Sequence, residues 1–201
     1  MFQSSHNFRG VVKYLIIINI AIFFAAQLLP GAGIDPGVLA AGPINQPGFY
    51  PTQILTHMFT HFEFGHLLFN MLALYFIGPI VEMVWGPKRF LTYYLICGVG
   101  GFALHMLVLL LTHSSAGIVG ASGAISGILV AFAFLFPNQI LSLIFPPIEM
   151  RAKYFVLMIF GIDLVLGVSG RGTGVAHFGH LGGALAGLIM LMIWNKGRLR
   201  F

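Results

Sequence analysis

The sequence predicts an all-α polytopic membrane protein, a bundle of six transmembrane helices. Three observations predict it. Of 201 residues, 58% are hydrophobic before 26 glycines are counted, whereas apolar residues and glycine together supply roughly 45–50% of a soluble domain. Charged residues make up 7%, against about 25% in soluble chains. Apolar stretches near the roughly 20 residues needed to cross a hydrocarbon core recur along the chain. This composition excludes a soluble globular enzyme, a disordered tail and a coiled coil. The net charge of +5 is not gathered into a basic patch with interleaved aromatics, so nucleic acid is not an expected partner. The one cysteine, Cys97, allows no internal disulfide and no cysteine metal cluster. The length suits one domain over residues 1–201.

The expected spans are 12–29, 66–84, 90–111, 122–136, 152–168 and 175–194. The first is too long, too aromatic and too poorly followed by small residues to be a cleaved signal peptide. A long loop, 30–65, follows it. Its first half is punctuated by Pro30, Gly31, Gly33, Pro36, Gly37, Gly42, Pro43, Pro47, Gly48 and Pro51. Its second half, 54–62, is too apolar for a solvated loop and too short to span, so half-embedding in the outer interface is expected. A loop of that length points to function. The fourth span is short by about five residues, so it begins below the membrane surface or ends early.

Basic residues orient the chain. Arg9 and Lys13 lie at the first span, Lys88 and Arg89 between the second and third, Arg151 and Lys153 between the fourth and fifth, and Lys196, Arg198 and Arg200 after the sixth. Arg171 alone falls on the other side. Short cytoplasmic loops are enriched in Lys and Arg, so both termini are expected in the cytoplasm of a multi-pass cell-membrane protein embedded in its lipid bilayer.

Polar groups inside spans are costly and mark function by default. Three constellations stand at the outer ends of spans. The first is His57, His61, His66 and Asn70, with His66 and Asn70 one helical turn apart. The second is Gly120-Ala121-Ser122-Gly123 with Ser126 and Gly127. The third is His177-Phe178-Gly179-His180 with Gly183 and Gly187. Each alone has a simpler reading. Gly-x-Ser-Gly arises readily by chance at this glycine content, and small residues at four-residue spacing let membrane helices pack closely. Nor is the string the strand-preceded elbow of soluble hydrolases. Together, however, packing and chemistry agree. Two small-faced helices in close contact would bring His180 against Ser122. Histidine is the side chain suited to take the serine proton near neutral pH. The Ser122 N–H, His66 and Asn70 can supply donors to an oxyanion.

These residues resemble the rhomboid family of intramembrane serine proteases over nearly the whole chain. The similarity comprises six spans, the long first loop, the series His57, His61, His66 and Asn70, and Gly78 to Glu82 with Gly86 closing span two. It also includes Gly120 to Gly123, and His180 with Gly183 and Gly187. The resemblance implies Ser122 as nucleophile and His180 as base in a dyad, with His66, Asn70 and the Ser122 N–H as oxyanion hole. Gly120, Gly123, His57, His61, His177, Gly183 and Gly187 would support the site. No cofactor and no metal are implied. The expected substrates are single-span membrane proteins, with no obligate protein partner. His177 also follows an alanine and imitates the motif, but His180 carries the two glycines at the proper spacing.

Three features depart from the family pattern. Ser126 stands where an aromatic residue often stacks on the base, so something else must hold the imidazole. Thr52-Gln53 replaces the usual Trp-Arg pair of the first loop, leaving its anchoring open. No extramembrane substrate-docking module is expected. Asp163 lies roughly mid-span and reads first as a hydrogen-bonding partner for a neighbouring helix, and second as a third member of the dyad. Glu82 reads as a structural partner for backbone or Arg89, and His105 and His113 as groups satisfied by neighbours. Three rival functions stand beside this reading: a catalytically inactive relative acting as a membrane chaperone, a histidine-rich metal-binding protein, and a transporter. The first loses force because serine and base both persist. The second lacks His-Glu-x-x-His and nearby carboxylates, and the third lacks a visible repeat.

Overall fold

The computed structural model describes residues 10–29, 34–142, 149–169 and 176–195. His6, Arg9, Pro30, Gly31, Gly33, Arg171, Lys196, Arg198 and Arg200 lie outside the described residues. The elements are α1 (Val11–Leu28), α2 (Pro36–Leu39), α3 (Gln53–Thr56) with a 3-10 turn over His57–Phe59, α4 (Phe64–Trp85) and α5 (Pro87–Thr112). They continue with α6 (Ser122–Leu135), β1 (Ile140–Ser142), β2 (Glu149–Arg151), α7 (Ala152–Ser169) and α8 (His177–Trp194). Helices α1, α4, α5, α7 and α8 are long and apolar enough to cross a membrane. With only 14 residues, α6 is the short fourth span. The chain is a polytopic helical membrane bundle.

Helix ends fall where local chemistry stops them. Gly86 (φ +77°) ends α4, and Pro87 opens α5 at a position whose N–H would be unpaired anyway. Large side chains cover the outside: Phe69, Leu111, Leu157 and Val168 are 69–74% exposed. Water would not tolerate such a surface, but hydrocarbon solvates it. The antiparallel hairpin β1–β2 joins α6 to α7, with Ile140 opposite Arg151. No periodicity in the sequence announces it.

One end of the bundle is tied by charge and rings. The Glu82 carboxylate of α4 accepts from the N–H groups of Val11 (2.6 Å) and Val12 (3.1 Å), satisfying orphan donors at the start of α1. This is the backbone-partner role expected for Glu82. Arg89 stacks over Trp194 at 4.2 Å, with Trp85 edge-on to Trp194. The start of α1, the α4–α5 turn and the end of α8 therefore share one side.

The helices cannot gain from expelling water against lipid, so close backbone packing carries their association. Glycines of α5, α6 and α8 meet at the centre. A β-carbon at Gly101 would sit 2.6 Å from the Gly179 carbonyl oxygen, and one at Gly182 would sit 2.5 Å from that of Gly100. A β-carbon at Gly183 would collide with the Gly123 carbonyl, and one at Gly187 would lie 3.1 Å from the Gly127 Cα. The expected contact between spans four and six is present. The part of α5, through Gly100 and Gly101, was not anticipated.

The first loop is held by protein as much as by the interface. Met58 and His57 are buried, while Leu55, Phe62 and Phe64 are exposed. Half-embedding thus describes only the outward residues of 54–62; the inward ones pack on α5, where Met58 lies against Gly98. Gln53 answers the anchoring question. Its Nε2 donates to the Val38 (2.8 Å) and Gly48 (3.3 Å) carbonyls, and its Oε1 accepts from the Tyr50 N–H.

Replacing Glu82 with alanine should leave the two α1 amides without their carboxylate partner and cost about 1–3 kcal/mol. Thermal unfolding in detergent should show a lower melting temperature for Glu82→Ala than for the native chain.

Candidate active site

The starts of α4, α6 and α8 and the first loop meet at one end of the bundle, around Gly120 and Gly123. The segment before Ser122 is fixed twice. Ala41 and Ile118 exchange backbone hydrogen bonds of 3.0 and 2.8 Å, and the Gly120 N–H donates to the His57 carbonyl at 2.8 Å. Gly120 has φ +103°, where a side chain is strained. A β-carbon there would also sit 2.7 Å from His66 Nε2 and 3.3 Å from Asn70 Nδ2. Glycine thus permits the serine loop to lie against both of those side chains.

The histidines of the first loop brace this arrangement. His57 Nδ1 donates to the Gln53 carbonyl at 2.8 Å. Asn70 Nδ2 donates to His61 Nε2 at 2.9 Å, and the Ala121 N–H approaches the same nitrogen at 3.5 Å. His61 Nε2 is therefore an acceptor and Nδ1 carries the proton, with no partner for it among the described residues. Asn70 keeps a second N–H free of that bond. The His61 and His66 rings meet edge-on at 5.0 Å.

The α6–α8 crossing sets the starts of the two helices side by side: the carbonyl of Gly179 faces Gly123, and Gly183 meets Gly123 one turn further in. Among the described residues no hydrogen bond joins Ser122 to His180. Catalytic contacts are often open before substrate arrives. His180 Nδ1 lies 3.2 Å from both carboxylate oxygens of Asp163, and His177 Nδ1 lies 2.7 Å from Oδ1. A carboxylate only accepts, so both Nδ1 atoms carry protons and His180 Nε2 is left as the basic nitrogen. Asp163 is buried, at 6% exposure, and the rings of His177 and His180 meet edge-on at 6.4 Å.

Several expectations change here. Asp163, read chiefly as an interhelical hydrogen-bonding residue, bonds across helices to the proposed base itself. It supplies the hold on the imidazole that Ser126, buried in α6, cannot. The histidine cluster also has a carboxylate after all. His105 was expected to be satisfied by neighbours; instead it is buried, and neither ring nitrogen is hydrogen-bonded among the described residues. The Ala116–Gly117 backbone lies beside it without bonding geometry. His113 is the exposed left-handed cap of α5 (φ 53°).

Burial pushes His57 down from 6.5 to about 4, with His105 adding to the effect and the Gln53 bond opposing it. Burial and the nearby His66 push His61 to about 3. The unfolded chain binds protons on both rings as pH falls through 6.5, whereas the folded chain resists until near 4 and 3. Stability is therefore full above 6.5 and is lost progressively below it. The melting temperature in detergent should fall from about pH 6.5 downward, and the His57→Gln, His61→Gln double variant should show a flatter pH slope.

A family model described as the Rhomboid domain matches residues 49–196. The chain is 30% identical to RHOMBOID-like protein 12, mitochondrial, of Arabidopsis thaliana, covering 96% of this chain and 61% of that protein. It is 31% identical to Rhomboid-like protein 11, chloroplastic, of the same plant, covering 92% and 65%. It is 29% identical to Rhomboid protease AarA of Providencia stuartii, covering 88% and 69%. The chain thus spans somewhat less than two thirds of the length of the two plant relatives.

Proposed function

Because the chain belongs to the rhomboid family, a family that includes serine intramembrane proteases, we propose that it is a serine endopeptidase cutting single-span membrane proteins within or near the bilayer. One observation supports this reading: α6 and α8 cross through glycines that neighbour Ser122 and His180 in sequence, and His180 Nδ1 is already engaged by Asp163. Ser122 Oγ attacks the scissile carbonyl while His180 Nε2 takes the hydroxyl proton. The tetrahedral oxyanion is held by the Ser122 N–H, the free N–H of Asn70 and His66. His180 then gives its proton to the leaving amine, and water, activated by the same nitrogen, releases the acyl group.

Asp163 fixes the tautomer in which Nε2 is the base, and it stabilises the imidazolium that forms. His61, neutral and accepting from Asn70, keeps the carboxamide N–H directed at the site. His57 holds the Gly120 backbone. A helical substrate hides its carbonyls in hydrogen bonds, so the cut falls in segments with small or helix-breaking residues. Such segments enter beside α7 or the first loop. The bias of basic residues supports a multi-pass cell-membrane protein with both termini in the cytoplasm.

The test is labelling by a serine-directed fluorophosphonate together with cleavage of a transmembrane substrate, after purification in detergent. Ser122→Ala should abolish both. His180→Ala should lower cleavage by about 10³-fold or more, with His177→Ala much less affected. Labelling that persists in Ser122→Ala removes the nucleophile, and loss in His177→Ala with survival of His180→Ala reverses the choice of base.

A further inference from the structure

Asp163 and the two histidines have a second chemical capacity beyond orienting a base. Two imidazole nitrogens and one carboxylate oxygen lie within 4.8 Å of one another. Asp163 Oδ1 stands 2.7 Å from His177 Nδ1 and 3.2 Å from His180 Nδ1. Ligands around a tetrahedral zinc ion, at bonds of 2.0–2.1 Å, stand about 3.3 Å apart. Rearrangement on the scale of an ångström would therefore let all three donors reach one ion. They project from two packed helices, with His177 and His180 one turn apart on α8. Two histidines, one carboxylate and an open fourth position suit zinc and neighbouring divalent transition ions. His180 has its side chain 20% exposed, which gives an ion a way in.

We propose that this cluster binds a divalent transition-metal ion reversibly, and that the bound ion inhibits the enzyme. The inhibition follows from the tautomer. With Asp163 as partner, the His180 proton sits on Nδ1 and Nε2 is basic. An ion on Nδ1 takes that lone pair, and the ring proton moves to Nε2. The imidazole stays neutral and no proton is released from it, but Nε2 now bears hydrogen and cannot accept one from Ser122. The carboxylate that oriented the base becomes a ligand in the same step. Metal here therefore acts opposite to a hydrolytic zinc: it stops the chemistry. The inhibition rests on the serine-protease reading; the binding does not.

The experiment uses the full chain in detergent. Cobalt(II) titrated into Ser122→Ala should give visible d–d absorption saturating at one ion per chain, and zinc should displace it. Adding His177→Gln or Asp163→Asn to that background should weaken binding by at least about tenfold, while His113→Gln, at the exposed end of α5, should not. Zinc should also protect His177 and His180 from diethyl pyrocarbonate in the otherwise native chain, a readout that needs no variant to fold. Absence of both absorption and protection overturns the site, as does absorption that survives loss of either ligand.

In the native chain, zinc should lower fluorophosphonate labelling of Ser122 and a chelator should restore it. Labelling lost to chelator and restored by zinc overturns the inhibitory sign. A chain that binds cobalt at these residues but never labels has lost the protease reading and kept the metal site. One that labels but binds no ion has lost the metal site alone.

Discussion

The placement of the candidate site depends on the backbone contact between α6 and α8. In hydrocarbon, side-chain burial gives helices no advantage over lipid, so they must associate through dispersion and through backbones close enough to exclude everything else. Gly123, Gly127, Gly179, Gly183 and Gly187, with Gly100 and Gly101 from α5, allow that closeness. The crossing fixes the relative height of the two helix starts. Ser122 opens α6 and His180 lies in the first turn of α8, so the crossing governs how these two starts stand to each other.

The first loop completes what the crossing begins. It is anchored by Gln53 to the Val38 and Gly48 carbonyls and by Ala41 to Ile118. From that platform His57 presents its carbonyl to Gly120, and His61 presents its Nε2 to Asn70. Each bond satisfies a donor that would otherwise be buried without water. The loop is therefore part of the wall of the site. The neutral state of its two histidines is a consequence of their burial.

Most of the architecture was legible in the sequence because hydrophobic length is read directly. The expected spans and the helices differ by three residues or fewer at every end. The short α6 was visible too, and so was the approach of His66 and Asn70 to the serine loop, where both lie against Gly120. Asp163 was harder to place. Counted from the inner end of its span it is central, yet it lies only six residues from the outer end of α7, about 9 Å at 1.5 Å per residue. His180 is three residues into α8 from the same side, so similar depth was readable in principle. Facing direction was not, because α7 has no glycine stripe to declare which side meets α8. The β1–β2 hairpin and the hold of Gln53 were likewise hidden, since both rest on contacts between segments without periodicity.

The thin attachment of α7 has a further meaning. Of its eighteen residues, Ala152 and Asp163 are the buried ones, one at the start of the helix and one in its second half. That second half is moored through the same carboxylate that holds His180 Nδ1. The contact that holds α7 to α8 at this level and the contact that orients the His180 ring are thus the same one. A movement of α7 away from α8 would therefore also release the His180 ring from its carboxylate partner.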